Sequence, residues 1–249
     1  MAIQGNMKYI GTVDGVIHYC SKGEYYMRTV PEEVQQTEAT KESAGVFGNA
    51  SSIGSILRHS LESILSNPRE KEMQNRFTAA IQAFLYQSQG REPRFVPEEE
   101  RLESFAFNLK ARSNHKLQQL VTAAYVPESG IDISIPAFIP SKTFTAPTGT
   151  RALRLIFCAT VVNWQRLKVT DQYMQVLELE YTGNQVTVQN LQLPVTSASG
   201  SIITCTVALQ FCKSFNHYAI PVSNLKYLPV VCKGAWQIVT LACLYFLLF

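Results

Sequence analysis

The chain has 249 residues, 46% of them hydrophobic and 16% charged, with a formal net charge of +3. That length can bury a full core in one or two domains, and the charge content lies well below the roughly 25% of an average soluble protein. The positive charge is spread thinly through an apolar second half rather than clustered in a basic stripe, so nucleic acid is not an expected partner.

The opening residues contain neither an apolar h-region nor a small-residue cleavage site. No export signal is expected, and the expected compartment is the cytoplasm. Six cysteines (Cys20, Cys158, Cys205, Cys212, Cys232, Cys243) are scattered without a C-x-x-C pair. They read as small buried hydrophobes, not as a disulfide framework or a zinc site.

The front segment reads as a small β-meander. "KYIGTV" is followed by Asp14-Gly15, a type I′ turn signal because both central positions need positive φ. "VIHYC", the turn Ser21-Lys22-Gly23 and "EYYMRTV" complete three short strands rich in Tyr, Ile and Val. So small a sheet is marginal alone and must pack on something. Pro31 closes it, and a polar connector leads into a helix near Thr40. There Val46, Ala50, Ile53, Leu57, Leu61 and Ile64 form one helical face. Gly45, Gly48 and Gly54 weaken that helix by roughly 1 kcal/mol each, and signal either a close backbone approach or simply a weak helix. Asn67 as cap, Pro68 at the first position and Glu70 at the third start a second helix. Its apolar face is Met73, Phe77, Ala80, Ile81, Phe84 and Leu85, and the two helices predict an antiparallel hairpin.

The charged, Pro-containing stretch "GREPRFVPEEERLE" is the best boundary in the chain. "FAFNL" is a candidate strand, and "KLQQLVTAAY" fits a helix or a strand equally. After Gly130 six alternating segments follow: "IDISIPAFI", "RALRLIFCATVV", "YMQVLELEY", "QVTVQNLQL", "SIITCTVALQF" and "HYAIPV". With Gly- and Pro-bearing turns between them they predict an antiparallel sandwich. The fold class is therefore α+β: an N-terminal β-hairpin or meander, an antiparallel two-helix hairpin and a C-terminal Ig-like β-sandwich. The expected domains are 1–90 for the first two, 91–130 as connector, 131–233 as sandwich and 234–249 as an apolar tail.

No catalytic, metal or cofactor motif is present. The four histidines lack ligand spacing, and there is no G-x-S-x-G, P-loop or G-x-G-x-x-G. Asp132, Asp171, Glu178 and Glu180 are the only carboxylates of the sandwich region. Glu178 and Glu180 share a strand face about 7 Å apart, a weak basis for a two-carboxylate hydrolase. The unusual local feature is aromatic. Tyr9, Tyr19, Tyr25 and Tyr26 form either a contact surface, because Tyr offers rigid area with a polar tip, or merely good strand residues. Trp164 in "VVNWQR" either stacks on a sugar or plugs one end of the sandwich.

"GTVDGVIHYCSKGEYYMRTVPEEV" and "FGNASSIGSILRHSLESIL" resemble the front of uncharacterised proteins of gut Bacteroidota and their mobile elements. "SIPAFIPSKTFTAPTGTRALRL" and "ALQFCKSFNHYAIP" resemble the back of the same group, where a β-domain follows. The resemblance implies no activity and no site residues. Together these features predict a non-enzymatic structural or binding protein, an assembly component of a phage or mobile element, with self-association or a protein partner. The alternatives are a glycan- or ligand-binding module using exposed aromatics, and a weak hydrolase. The tail Ala235–Phe249 reads as a core strand, a core helix or a short membrane anchor. A helix of that length spans about 22 Å, short of a ~30 Å hydrocarbon core.

Overall fold

The structure is a computed structural model, and it describes residues 10–30, 36–65, 72–88, 101–215, 218–222 and 224–238. The described residues are mixed α+β, with four α-helices and three antiparallel sheets among them. Two compact units divide between Ser43 and Ala44.

The first unit is the expected meander: β1 (Gly11–Val13), β2 (Val16–Ser21) and β3 (Glu24–Thr29), ordered β1-β2-β3. The Asp14-Gly15 turn has the predicted positive φ, 46° and 74°, and the second turn shares it, with 52° and 85° at Lys22-Gly23. Helix α1 (Glu38–Ser60) begins two residues before Thr40 and spans the division between the units. The Thr40 amide donates to the Thr37 hydroxyl at 3.2 Å, a side-chain cap on the first turn.

The second unit is built in layers. Its centre is a five-stranded sheet in which β6 (Ala152–Asn163) lies between β7 (Lys168–Glu180) and β9 (Ser201–Phe215). β10 (Tyr218–Pro221) and β11 (Val230–Ile238) share the far side of β9. A three-stranded sheet, β4 (Thr122–Val126), β5 (Gly130–Ile135) and β8 (Gln189–Leu193), runs in the order β4-β5-β8. Helices α3 (Asn114–Leu120) and α4 (Pro140–Thr143) complete the described elements with α2 (Met73–Ser88).

The alternation of β6 and β9 explains the layering. Their odd-numbered residues (Leu153, Leu155, Phe157, Val207, Leu209, Phe211) form one core with Ile131, Ile133, Ile135 and Leu193 of the small sheet. Their even-numbered residues (Ile156, Cys158, Val162, Ile202, Ala208) form a second core with Ile53, Leu57, Phe77 and Ile81 of α1 and α2. Both faces of the central strands are therefore apolar, which is why those segments read as nearly continuous hydrophobic runs.

The two helical faces read from spacing are the buried ones. Ala50, Ile53, Leu57, Leu61 and Ile64 are buried, as are Met73, Phe77, Ala80, Ile81, Phe84 and Leu85. Gly54 approaches side chains of α2, with an added Cβ 3.2 Å from Ile81 Cδ1 and 3.8 Å from Phe77 Cδ1, whereas Gly45 and Gly48 face open space. The proposed cap Asn67, Pro68 and Glu70 lie outside the described residues.

Four details differ from the sequence expectation. The helical pair shares its core with the five-stranded sheet, so the helices belong to the sandwich and not with the front segment. Residues 101–130 are more than a connector, since they supply α3 and the sheet strand β4. "KLQQLVTAAY" is helix and strand in succession, because Leu117 and Leu120 bury one helical side before Ala123 and Tyr125 turn inward as alternate strand residues. In place of a strand, "FAFNL" follows a 3-10 turn at Leu102–Ser104 and makes a single bridge, Ala106 to Val231. Phe105 and Phe107 there close on Phe77, with ring centroids 5.1 and 4.9 Å away.

The apolar end of the chain begins as a core strand. Gly234–Ile238 of β11 pairs with Ser201–Cys205 of β9 after a bulge at Lys233. Trp236 folds over Gly234, where any Cβ would strike its ring, and lies 6.1 Å from the Tyr125 ring. Residues 239–249, and with them the rest of the anchor question, lie outside the described residues. Among the described residues no helix is long and apolar enough to cross a membrane.

Candidate interaction surface

Two I′ turns fix the register of the meander, and the register fixes its faces. Tyr19 pairs directly with Tyr26, Ile17 with Arg28 and Cys20 with Tyr25. Opposed residues share a face, so Tyr19, Tyr26, Ile17 and Arg28 lie on one side and Tyr25, Cys20 and Met27 on the other. The Tyr19 and Tyr26 rings stack at 5.6 Å with 24° between planes, and the Arg28 guanidinium lies 5.9 Å from the Tyr19 centroid. The Tyr26 hydroxyl donates to Glu24 at 2.7 Å. That hydrogen bond, then the charge of Glu24, pushes the Tyr26 phenol above its ordinary value.

Sequence reasoning grouped Tyr9, Tyr19, Tyr25 and Tyr26. The register brings Tyr19 and Tyr26 together and sends Tyr25 to the opposite face; Tyr9 lies outside the described residues. Arg28 was not singled out, although counting back from the two glycine turns places it beside Ile17 and within reach of Tyr19. None of the described meander residues is buried; Tyr19 is 39% and Tyr25 38% exposed. An aromatic pair with a cation above it and a carboxylate beside it offers rigid apolar area, a π face and both signs of charge.

Trp164 follows β6 in the turn to β7. Its ring packs, half-buried, against the core beneath the helices, and its indole N–H has no partner among the described residues. A shallow concavity of about 510 Å³ lies on the outer face of the small sheet, lined by Thr122, Asp132, Ser134, Asn190 and Gln192. No aromatic residue lines it, and Asp132 accepts a hydrogen bond from Gln192 at 3.2 Å.

Three of the four carboxylates considered for hydrolysis, Asp132, Asp171 and Glu178, accept side-chain or backbone hydrogen bonds. Glu178 accepts from Arg154 at 2.7 Å, a bond that holds Arg154 above its ordinary value. Asp171 accepts from the Thr196 amide and hydroxyl at 2.7 and 3.0 Å. Among the described residues no group of three His, Cys, Asp or Glu side chains could hold a metal ion. Two buried thiols are held neutral: desolvation pushes Cys205 well up and Cys232 up to about 12. Half-buried Lys233 is lowered by desolvation and donates to the Gln118 carbonyl. No family model, curated protein or solved structure matches the chain.

Proposed function

We propose that this is a non-enzymatic structural protein that assembles with copies of itself through its front meander. The reading rests on one observation: a three-stranded sheet, too small to be stable alone, leaves Tyr19, Tyr26 and Arg28 of one face and Tyr25 and Met27 of the other without a buried position. Burial of those faces between copies supplies the missing stabilisation. The body that carries them is read as an Ig-like sandwich. In support, β4 to β9 and β11 taken in chain order as A, B, C, C′, E, F and G give the orders A-B-E and C′-C-F-G, an arrangement of the Ig type. The sequence resemblance would place the assembly in a phage or integrated element, for which neighbouring virion genes are the check. Sedimentation of the full chain tests the central reading. Species heavier than 27.9 kDa are expected, and Tyr19→Ala with Tyr26→Ala should shift them toward monomer. A monomer at every concentration would remove the proposal.

A further inference from the structure

The rims of the five-stranded sheet are unequally protected. On the β9 side, β10 is four residues long and ends in Pro221, while β11 carries a bulge at Lys233. Short strands, proline, lysine and bulges all discourage edge pairing. On the other side β7 has β6 as its only ladder partner among the described residues. Its one irregularity, at Thr170, opposes the Val161/Val162 register shift. From Asp171 to Glu180 the strand is regular and has neither Lys nor Pro. Tyr181 N–H donates to Arg151 O at 2.9 Å, so by the alternation of an antiparallel ladder odd-numbered amides face β6. The backbone groups of Gln172, Met174, Val176 and Glu178 therefore point out of the edge. Met174 is 50% and Val176 51% exposed on the helix side, and Tyr173 37% exposed on the other.

We propose that β7 pairs antiparallel with β7 of a second copy, in a two-fold register centred on Gln175. The outward groups must meet outward groups, which puts the two-fold on a residue; the centres nearest the middle of the regular stretch are 174, 175 and 176. Centring on 174 sets Val176 against Gln172 and Tyr173 against Gln175. Centring on 176 sets Met174 against Glu178. Centring on 175 sets Met174 against Val176 twice and Tyr173 against Leu177 twice, with Gln172 opposite Glu178, Asp171 opposite Leu179 and no like charges facing. That register is self-complementary, which favours a second copy of this chain as the occupant. It forms about eight inter-chain hydrogen bonds and leaves the Arg154–Glu178 pair in place. The joint is separate from the meander contact and deepens the assembly reading, since two different self-contacts per chain allow growth beyond a dimer.

The test uses the full chain with Cys20→Ser and Cys243→Ser. Gln175→Cys should form an inter-chain disulfide under mild oxidation, because directly opposed residues place Cβ atoms about 4.5–5.5 Å apart. Tyr173→Cys alone should not, but mixed with Leu177→Cys it should. Val176→Pro removes an outward N–H and spares the β6 ladder; it should weaken association at least tenfold without loss of the folded circular dichroism signal. If that variant misfolds, Met174→Lys, at an exposed position, gives the same readout. Tyr19→Ala with Tyr26→Ala should leave the Gln175→Cys cross-link intact, so this joint and the meander contact fail separately. Three results would overturn the proposal: no cross-link at 175, association indifferent to both edge substitutions, or pairing that appears only after residues 239–249 are removed, which would show that the chain's own tail occupies the edge.

Discussion

Phe77→Ala should be among the most damaging single substitutions in the chain. Phe77 is 1% exposed and stands where α2 meets the segment before α3, against Phe105 at 5.1 Å and Phe107 at 4.9 Å. Those two rings meet edge-on at 5.1 Å, and the Arg76 guanidinium covers Phe105 at 5.0 Å. Truncation removes most of an aromatic side chain from a site walled by other rings, which cannot collapse into the space. Phe→Ala changes of that kind cost about 3–5 kcal/mol. For a unit of this size each kcal/mol lowers Tm by roughly 2–4 °C, so a fall of about 6–20 °C is expected. Urea unfolding followed by circular dichroism measures it, with a lower midpoint and an unchanged slope. A cycle with Phe105→Ala should return a coupling of about 0.5–1.5 kcal/mol. A cost under about half a kcal/mol, the range of ordinary surface changes, would refute the packing of α2 on this cluster.

Other outcomes follow from the same coordinates. Gly130 has φ +100° and its Cβ would strike Leu193 O, so Gly130→Ala should unpair β5 from β8 and appear as lost amide protection in both strands. Gly48 faces open space in α1, so Gly48→Ala should raise stability by about 0.5–1 kcal/mol, whereas Gly54→Leu should lower it by forcing Ile81 and Phe77 aside. In a native iodoacetamide time course read by peptide mass, Cys20 should label before the buried Cys158, Cys205, Cys212 and Cys232. Cys232 is raised from 9.0 to about 12, so the folded state holds a proton that the unfolded state releases. Its contribution is fully present below pH 9 and is lost as pH rises toward 12, while lowered Lys233 acts with the opposite sign up to 10.5. The urea midpoint should fall above pH 9, and less steeply in Cys232→Ala.

Local pattern carried much of the fold. The Asp14-Gly15 turn demanded positive φ and has it, and the 3.6-residue spacing on α1 and α2 named the buried faces because those helices present one stripe to one core. What spacing cannot say is which core a stripe meets. The helices were grouped with the front segment by nearness in sequence, yet Ile156 and Cys158 of β6 needed cover on their second face and the helices supply it. The clue lay in the continuous apolar run of β6, which suits a strand buried on both sides better than one with a wet face. Residues 116–125 are ambiguous in sequence because seven helical residues show barely two turns of period. At the surface, composition flagged tyrosines, but only register separates Tyr25 from the Tyr19–Tyr26 pair. The β7 edge left no mark in the pattern, since an edge is defined by the absence of a neighbouring strand.

Burial of the meander between copies is tested most directly by hydrogen exchange on the full chain across a dilution series. The account predicts that amides from Val16 to Thr29 gain protection as concentration rises, and that Tyr19→Ala with Tyr26→Ala removes the gain. Exchange in that segment independent of concentration, while the chain is shown to be assembled, would contradict it.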